Sequence, residues 1–385
     1  MSIVGIIAEY DPFHNGHLHH LTESRRIAEA DFAIVALSGP FRQRGEPALL
    51  SPADRAACAL RAGADAVFEL PFSCAVREAE TYALGAVSLL SALGCTHLAF
   101  GAESANLSLL TRAAETVDLP ALTVTLHQHL GKGRGFPAAL SAAVEALDPE
   151  AGLLLRQPNN ILAVSYLRAL RKLRSPLIPV VIPRAGDYHG GSIDASAPSA
   201  SALRGALLRG DYSSAYAAMP ETTAELLRRR FLDRQTPDPR LLSVLVLDAI
   251  RKAEPAGLRR ILPDLSEGLE NRLYEAAGRA SSLEDLIRDL TSKRYPSARL
   301  RRLCVRALVG LPPVSFPPRA VRLLALREGS GLPRLWQGNT LRILSSGRAF
   351  REDPDLAADR AAYRVYARLT GRPDTWPFTE RLVTR

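Results

Sequence analysis

Residues 2–21 read Ser-Ile-Val-Gly-Ile-Ile-Ala-Glu-Tyr-Asp-Pro-Phe-His-Asn-Gly-His-Leu-His-His-Leu, and this stretch constrains the fold more than any other. Ile3, Val4, Ile6, Ile7 and Ala8 form a short apolar run suited to a buried parallel strand. Asp11-Pro12 stops the run, and Asn15-Gly16 supplies a tight turn. Leu18, Leu21, Arg25 and Ile27 then recur on successive helical turns. His14 and His17 therefore bracket the N-terminus of a helix that follows a strand. Unpaired backbone N–H groups and the positive end of the helix dipole collect there, which suits a phosphate. Gly16 lets backbone approach a ligand without a Cβ in the way. Two imidazoles at that spot can donate hydrogen bonds to a polyphosphate and steady the charge that builds as a phosphoanhydride breaks.

In this context His14-Asn15-Gly16-His17 resembles the signature of the nucleotidyltransferases that share an ancestor with class I aminoacyl-tRNA synthetases. The competing reading makes His14, His17, His19 and His20 a metal cluster or a polar loop. Zinc needs three or four ligands with geometry, and no carboxylate or Cys follows at ligand spacing.

A chain of 385 residues has room for two or three domains. A hydrophobic content of 47% supports a real core. The net charge of +9 is consistent with a polyanionic partner. Lys occurs only at positions 132, 172, 252 and 293; that bias, with heavy use of Ala, is equally what a GC-rich genome produces. Cys58, Cys74, Cys95 and Cys304 sit in apolar contexts without a Cys-x-x-Cys pair and read as buried reduced thiols. No signal peptide or long apolar run is evident, so a cytoplasmic chain without a membrane span is expected.

The strand–helix alternation continues with strands at Phe32–Leu37, Ala66–Leu70, His97–Phe100 and Leu177–Ile182. It predicts an α/β fold, a Rossmann-like, doubly wound parallel sheet. The loop from Ser38 to Pro47 carries Gly, Gln and two Arg past the end of a strand, where open α/β sheets bind ligands. Ser51 reads as an N-cap with Pro52 at the first helical position and Asp54 at the third. Gly94 reads as the stop of a long helix. Gly131-Lys-Gly-Arg-Gly135 reads as a flexible loop and a candidate substrate lid. Asn159 is the candidate ligand contact and Asn160 the candidate N-cap of a helix over 161–173. Arg184 can reach a phosphate bidentately. Ser199, Ser201 and Arg204 open a further helix and form a second candidate anion site.

From about Gly210 strands vanish and Arg-rich helices take over. Arg228, Arg229 and Arg230 form one basic cluster; Lys293, Arg294, Tyr295, Arg299 and Arg302 form another, with Tyr295 as a stacking surface beside cations. A solvated helix face is the equal alternative. Pro312-Pro313 and Pro317-Pro318 mark a hinge. Three regions are expected: 1–205 as the nucleotide domain, 206–312 as a helical basic domain, and 313–385 as a small α/β tail around Val321–Leu326 and Leu341–Leu344.

These residues resemble one family closely, the bacterial tRNA(Met) cytidine acetate ligases. Matching blocks are Val4 to His17, Ser38 to Pro47, Gly63 to Pro71, Gly85 to Leu90, Phe100 to Ser104 and Pro158 to Leu162. Arg184 to His189, Ser199 to Arg204, Ser266 to Arg272, and Lys293 to Tyr295 with Arg299 continue the match in order. The resemblance implies acetylation of the wobble cytidine of elongator tRNA(Met) to N(4)-acetylcytidine. It implies ATP, with Mg2+, and free acetate as the reagents, without coenzyme A. An acetyl-adenylate forms first, and the cytidine amine then expels AMP. His14 and His17 carry over as catalytic. The ATP contacts that carry over are Ile7, Ala8, Glu9, Tyr10, Asp11, Pro12, Phe13, His14, Asn15, Gly16, His17, Leu18, His19, His20, Gly101, Asn159 and Arg184. The sequence departs from the family at Asp11, where Asn is usual, at Pro40, at Ala185 and Asp187, and at Pro296-Ser297. Asp11 matters most, because a carboxylate beside a triphosphate either holds a metal or caps the turn.

Two other readings fit part of the chain. A nucleotidyltransferase acting on a small phosphorylated metabolite accounts for residues 1–205 but leaves the basic half idle. A non-catalytic RNA-binding protein leaves His14, His17 and Arg184 unexplained.

Overall fold

A computed structural model of the chain describes residues 1–184, 198–265, 268–310 and 316–385. The apolar runs are strands: β1 (Ile3–Ala8), β2 (Phe32–Ser38), β3 (Ala66–Leu70), β4 (His97–Ala102) and β5 (Ile178–Pro183). All pair in parallel, with Val4 of β1 opposite Ala33 of β2 and His97 of β4. Their order across the sheet is β5-β4-β1-β2-β3. This is a doubly wound sheet whose order reverses between β1 and β4, and such a reversal opens a crevice at the carboxyl ends of the strands.

Within each strand, successive residues serve different cores. Ile3, Ile34, Phe68 and Leu98 belong to one cluster; Val4, Ala33, Val67 and Ala99 belong to another. The continuous apolar runs follow from burial on both faces.

Local signals act as their chemistry predicts. Ser51 Oγ accepts from Asp54 N at 3.1 Å, with Pro52 opening the helix Pro52–Arg61. Gly94, at φ 78°, follows the helix Ala79–Ala92. Gly131 ends the helix Pro120–Gly131, and residues 132–135 connect it to the helix Phe136–Leu147. Gly135 presses on Lys293, whose carbonyl oxygen a Cβ would meet at 2.7 Å. None of these five residues borders the cleft described below.

Helices Pro239–Ile261, Leu269–Arg279, Leu283–Leu290 and Ser297–Val309 build a second core, which Phe41, Phe72 and Val76 from the nucleotide half and Ala362 and Val365 from the tail complete. The first of these helices bends where Glu254, at φ 51°, precedes Pro255, because proline removes a backbone donor and clashes with the preceding turn. All four cysteines are buried free thiols, and burial pushes Cys58 up to about 11.

The tail is built around the two apolar runs expected in it, and its first strand joins the central sheet. Its strands β6 (Ala320–Leu326), β7 (Arg342–Leu344) and β8 (Val383–Thr384) form, but β6 runs antiparallel against β3 and extends the central sheet. The helix Ala357–Leu369 laces this tail to the nucleotide half. Tyr363 Oη donates to Glu69 at 2.8 Å, Tyr366 Oη donates to the Ala48 carbonyl at 3.0 Å, and Asp359 accepts from Phe72 N at 2.8 Å. The Pro312-Pro313 part of the expected hinge lies outside the described residues.

Candidate active site at the carboxyl ends of the strands

A cleft of about 380 Å3 opens where β1, β4 and β5 end. Ile6 to Asp11 form its floor, His14, Gly16, His17 and His20 one wall, and Phe100, Gly101, Pro158 and Asn159 another. Arg184, Ser199, Ser201 and Arg204 close it from the β5 side. The residues of the two anion sites expected separately thus line one cleft. Of the segment 7–20, Pro12, Phe13, Asn15 and Leu18 stand behind the wall. Phe13 packs edge-on to Tyr10 at 4.8 Å, and Asn15 N donates to the Ala218 carbonyl at 3.0 Å. A contiguous run cannot present every side chain to one side of a strand–turn–helix junction.

His14 is the N-cap of the helix Asn15–Ile27, with extended backbone. Its N–H donates to His17 Nδ1 at 3.4 Å, and its ring stacks on that of His17 at 3.6 Å. Gly16 makes this possible: a Cβ there would meet His14 Cε1 at 3.0 Å, so the space serves the imidazole. Gly101 likewise leaves room for Arg184 and His20, whose atoms would lie 3.3–3.6 Å from its Cβ. Burial, reinforced by Arg184 and Arg204, lowers His14 to about 3; burial and the neighbouring cations hold His17 well below its ordinary value; His20 falls to about 4. Neutral imidazoles keep one N–H donor each without repelling the arginines.

Asp11 neither caps the turn nor stands open to a metal. Its Oδ1 accepts from Leu49 N at 2.7 Å, and its Oδ2 faces Arg42 Nε at 3.1 Å. Arg204 donates to the Asp11 carbonyl at 2.6 Å and to Ser201 Oγ at 3.0 Å. Ser199 Oγ is taken up as an N-cap, accepting from Ala202 N at 3.1 Å. Among the described residues no group of three or more His, Cys, Asp or Glu is placed to hold a metal.

Asn159 is held by a residue that sequence reasoning passed over. Glu103 Oε1 accepts from Asn159 Nδ2 at 2.6 Å and from its backbone N at 3.2 Å. Glu103 Oε2 accepts from Asn160 N at 2.8 Å. A carboxylate at the N-terminus of the helix Pro158–Leu173 is where the dipole favours one. Asn160 is inside that helix, not its cap: its side chain accepts from Ser104 N and donates to the Leu154 carbonyl. Arg55, fully buried, was also missed. It donates to the carbonyls of Leu50, Glu9 and Gly39, fixing the end of β1 against the loop after β2. From that loop Arg42, Gln43 and Arg44 line the cleft, and Gln43 N donates to Glu9 Oε1 at 2.6 Å. An Arg with only backbone partners leaves no pattern in the sequence.

The sequence matches the HIGH nucleotidyl transferase family over residues 1–372. It is 36% identical to the tRNA(Met) cytidine acetate ligase of Alkaliphilus metalliredigens, covering 100% of this chain and 91% of the relative. It is 36% identical to that of Acetivibrio thermocellus, covering 81% of this chain and 78% of the relative. The chain belongs to the tRNA(Met) cytidine acetate ligase family. The fold agrees with crystal structures of Thermotoga maritima TmcAL, 28% identical over 100% of this chain and 99% of that one: TM-score 0.92 for the apo form and 0.89 for the form bound with alpha-thio ATP.

In this ligase family member the basic residues separate into two kinds. Arg230 is structural: it grips Asp54 with two bonds of 2.9 and 2.7 Å. Tyr295 is 3% exposed and lies in the helical core, flanked by Arg272 and Arg299, so its ring is no free stacking surface. Arg228, Arg229, Lys293 and Arg294 are exposed; Arg299 and Arg302 are half-buried, with burial lowering Arg302 to about 10. An aromatic surface lies elsewhere. Tyr212 and Tyr216 stack at 6.0 Å, with Arg228 4.5 Å over Tyr216. Residues 185–189, part of the resemblance, lie outside the described residues.

Proposed function

We propose that this chain activates acetate with ATP and transfers the acetyl group to the wobble cytidine of elongator tRNA(Met). The observation that carries the reading is the juxtaposition of His14, His17, Arg184 and Arg204 around one cleft at the strand ends, in a chain of this ligase family. An acetate oxygen attacks the α-phosphorus, the bond to the bridging oxygen breaks, and pyrophosphate leaves. The protein holds the two reactants in line and absorbs charge on the leaving group. Neutral His14 and His17 donate N–H groups to that charge, and Arg184 and Arg204 supply the positive field. The acyl-adenylate then meets the exocyclic amine of cytidine; the C–N bond forms, AMP leaves, and the amine loses its proton.

The loop over Arg42 to Arg44 is our candidate wall for the acid. ATP brings Mg2+ with it, but the described residues offer no carboxylate cluster for the ion, and no step is assigned to it. The helical stretch 206–312 is our candidate tRNA-contacting region, through Arg228, Arg229, Lys293, Arg294, Arg299 and Arg302. No helix among the described residues is long and apolar enough to cross a membrane, and we place the reaction in the cytoplasm.

Pyrophosphate release with ATP and magnesium tests this, with and without acetate, and with elongator tRNA(Met) added last. The expected result is acetate-dependent release followed by acetyl label on the tRNA without coenzyme A. Release that ignores acetate and responds to a phosphorylated metabolite overturns the reading.

A further inference from the structure

Every residue that lines the cleft lies between Ile6 and Arg204, but one of its walls is held from the helical region. Arg42, 6% exposed, faces Asp11 at 3.1 Å with its Nε and pairs with Glu46 through Nη2. Glu46 in turn faces Arg301 at 3.6 Å, and Arg301 makes a two-bonded pair with Glu284 at 2.9 and 2.5 Å. Charges of alternating sign thus run from the cleft, through the loop after β2, into the helices Ser297–Val309 and Leu283–Leu290. Backbone contact supports the same docking. Gly45 lies at φ 79°, and a Cβ there would meet Arg302 N at 2.6 Å and the Arg301 carbonyl carbon at 2.7 Å. A second strap runs beside the first. Gln43 Nε2 donates to the Arg77 carbonyl; Arg77 faces Asp264 at 3.7 Å; Asp264 holds Arg306 with two bonds of 2.6 Å.

Neither Glu46 nor Arg301 borders the cleft, whereas Arg42 does. Engaging a guanidinium at two points of its planar fork adds orientation, and here Asp11 engages one and Glu46 the other. We propose that Glu46 and Arg301 are positioning residues: Arg301, from the helical region, holds Glu46, and Glu46 holds Arg42 in the acid-binding wall of the cleft. This inference rests on our placement of the acid at the loop after β2.

Acetate-dependent ATP–pyrophosphate exchange tests it, with KM measured separately for acetate and ATP in E46Q, R301Q and the double variant. The expected result is a rise in the acetate KM of about tenfold in each single variant, with the ATP KM within twofold. The double variant should be no worse than either single one, since both break one chain. R301K should recover part of the loss. Equal rises in both KM values, additive losses, or unchanged acetate kinetics would overturn the proposal. Exchange by the unaltered enzyme is a separate check: its failure to depend on acetate sinks the functional reading, whereas a normal unaltered enzyme with unsplit variants sinks only this inference.

Discussion

The rings of His14 and His17 stack with centroids 3.6 Å apart and planes tilted by 22°, at the first turn of the helix after β1. Stacking fixes both imidazoles as a unit, so one replacement disturbs both. His17→Ala should reduce acetate-dependent pyrophosphate exchange by about 100- to 1000-fold, the usual loss for one preorganised donor. Binding of tRNA, measured by filter retention, should stay within twofold. An active His17→Ala enzyme refutes the assignment.

The same pair predicts how the protein responds to acid. Burial holds His14, His17 and His20 below the ordinary 6.5, His14 at about 3 and His20 at about 4, so just below pH 6.5 the unfolded chain binds more protons than the native one. Stability is therefore unaffected by these groups above pH 6.5 and falls as pH drops below it, by at most about 1.4 kcal/mol per pH unit for each histidine. Urea unfolding at pH 7.5, 6 and 5 should show this decline, and His14→Asn should flatten it. In NMR spectra the His14 and His20 ring protons should not titrate between pH 5 and 8 in the free enzyme.

Glu103 does not border the cleft but holds Asn159, which does. Glu103→Ala frees that amide and strips the anion from the N-terminus of its helix, a loss of about 1 kcal/mol in stability. A non-hydrolysable ATP analogue should bind about tenfold more weakly by calorimetry. Unchanged affinity would mean that Asn159 does not touch the nucleotide.

Arg229 and Arg230 are adjacent in sequence and should behave oppositely. Arg230→Ala removes the bidentate partner of Asp54 and should cost about 1–3 kcal/mol of stability in thermal unfolding. Arg229→Ala should leave the melting temperature alone, weaken tRNA binding and lower the salt slope by about one. Tyr295→Ala, which empties a buried ring site, should destabilise the helical core by about 3 kcal/mol.

These contrasts mark how far the chain was legible. The five parallel strands and their helix boundaries could be read because buried strands demand continuous apolar runs and Ser51, Pro52 and Gly94 punctuate them locally. The juxtaposition of His14 and His17 in the cleft could be read because they are three residues apart and the strand–turn–helix context places them. Asn160 does not cap because its side chain is engaged by Ser104 N, 56 residues away, and by the Leu154 carbonyl. Tyr295 was taken for a surface ring because local composition cannot tell a basic helix face from the core behind it.

By itself, then, the sequence determined the doubly wound sheet, the strand–turn–helix junction that carries His14 and His17, and the family. Those depend on short-range periodicity, capping and a contiguous motif, all carried by neighbouring residues. Only the tertiary structure decided that Arg204 and Ser201 share a cleft with the histidines, that Asp11 is bound to Arg42, that the tail joins the sheet through β6, and that Glu46 links the cleft to Arg301. Each is a contact between distant residues, and burial alone decides which charges must find partners there.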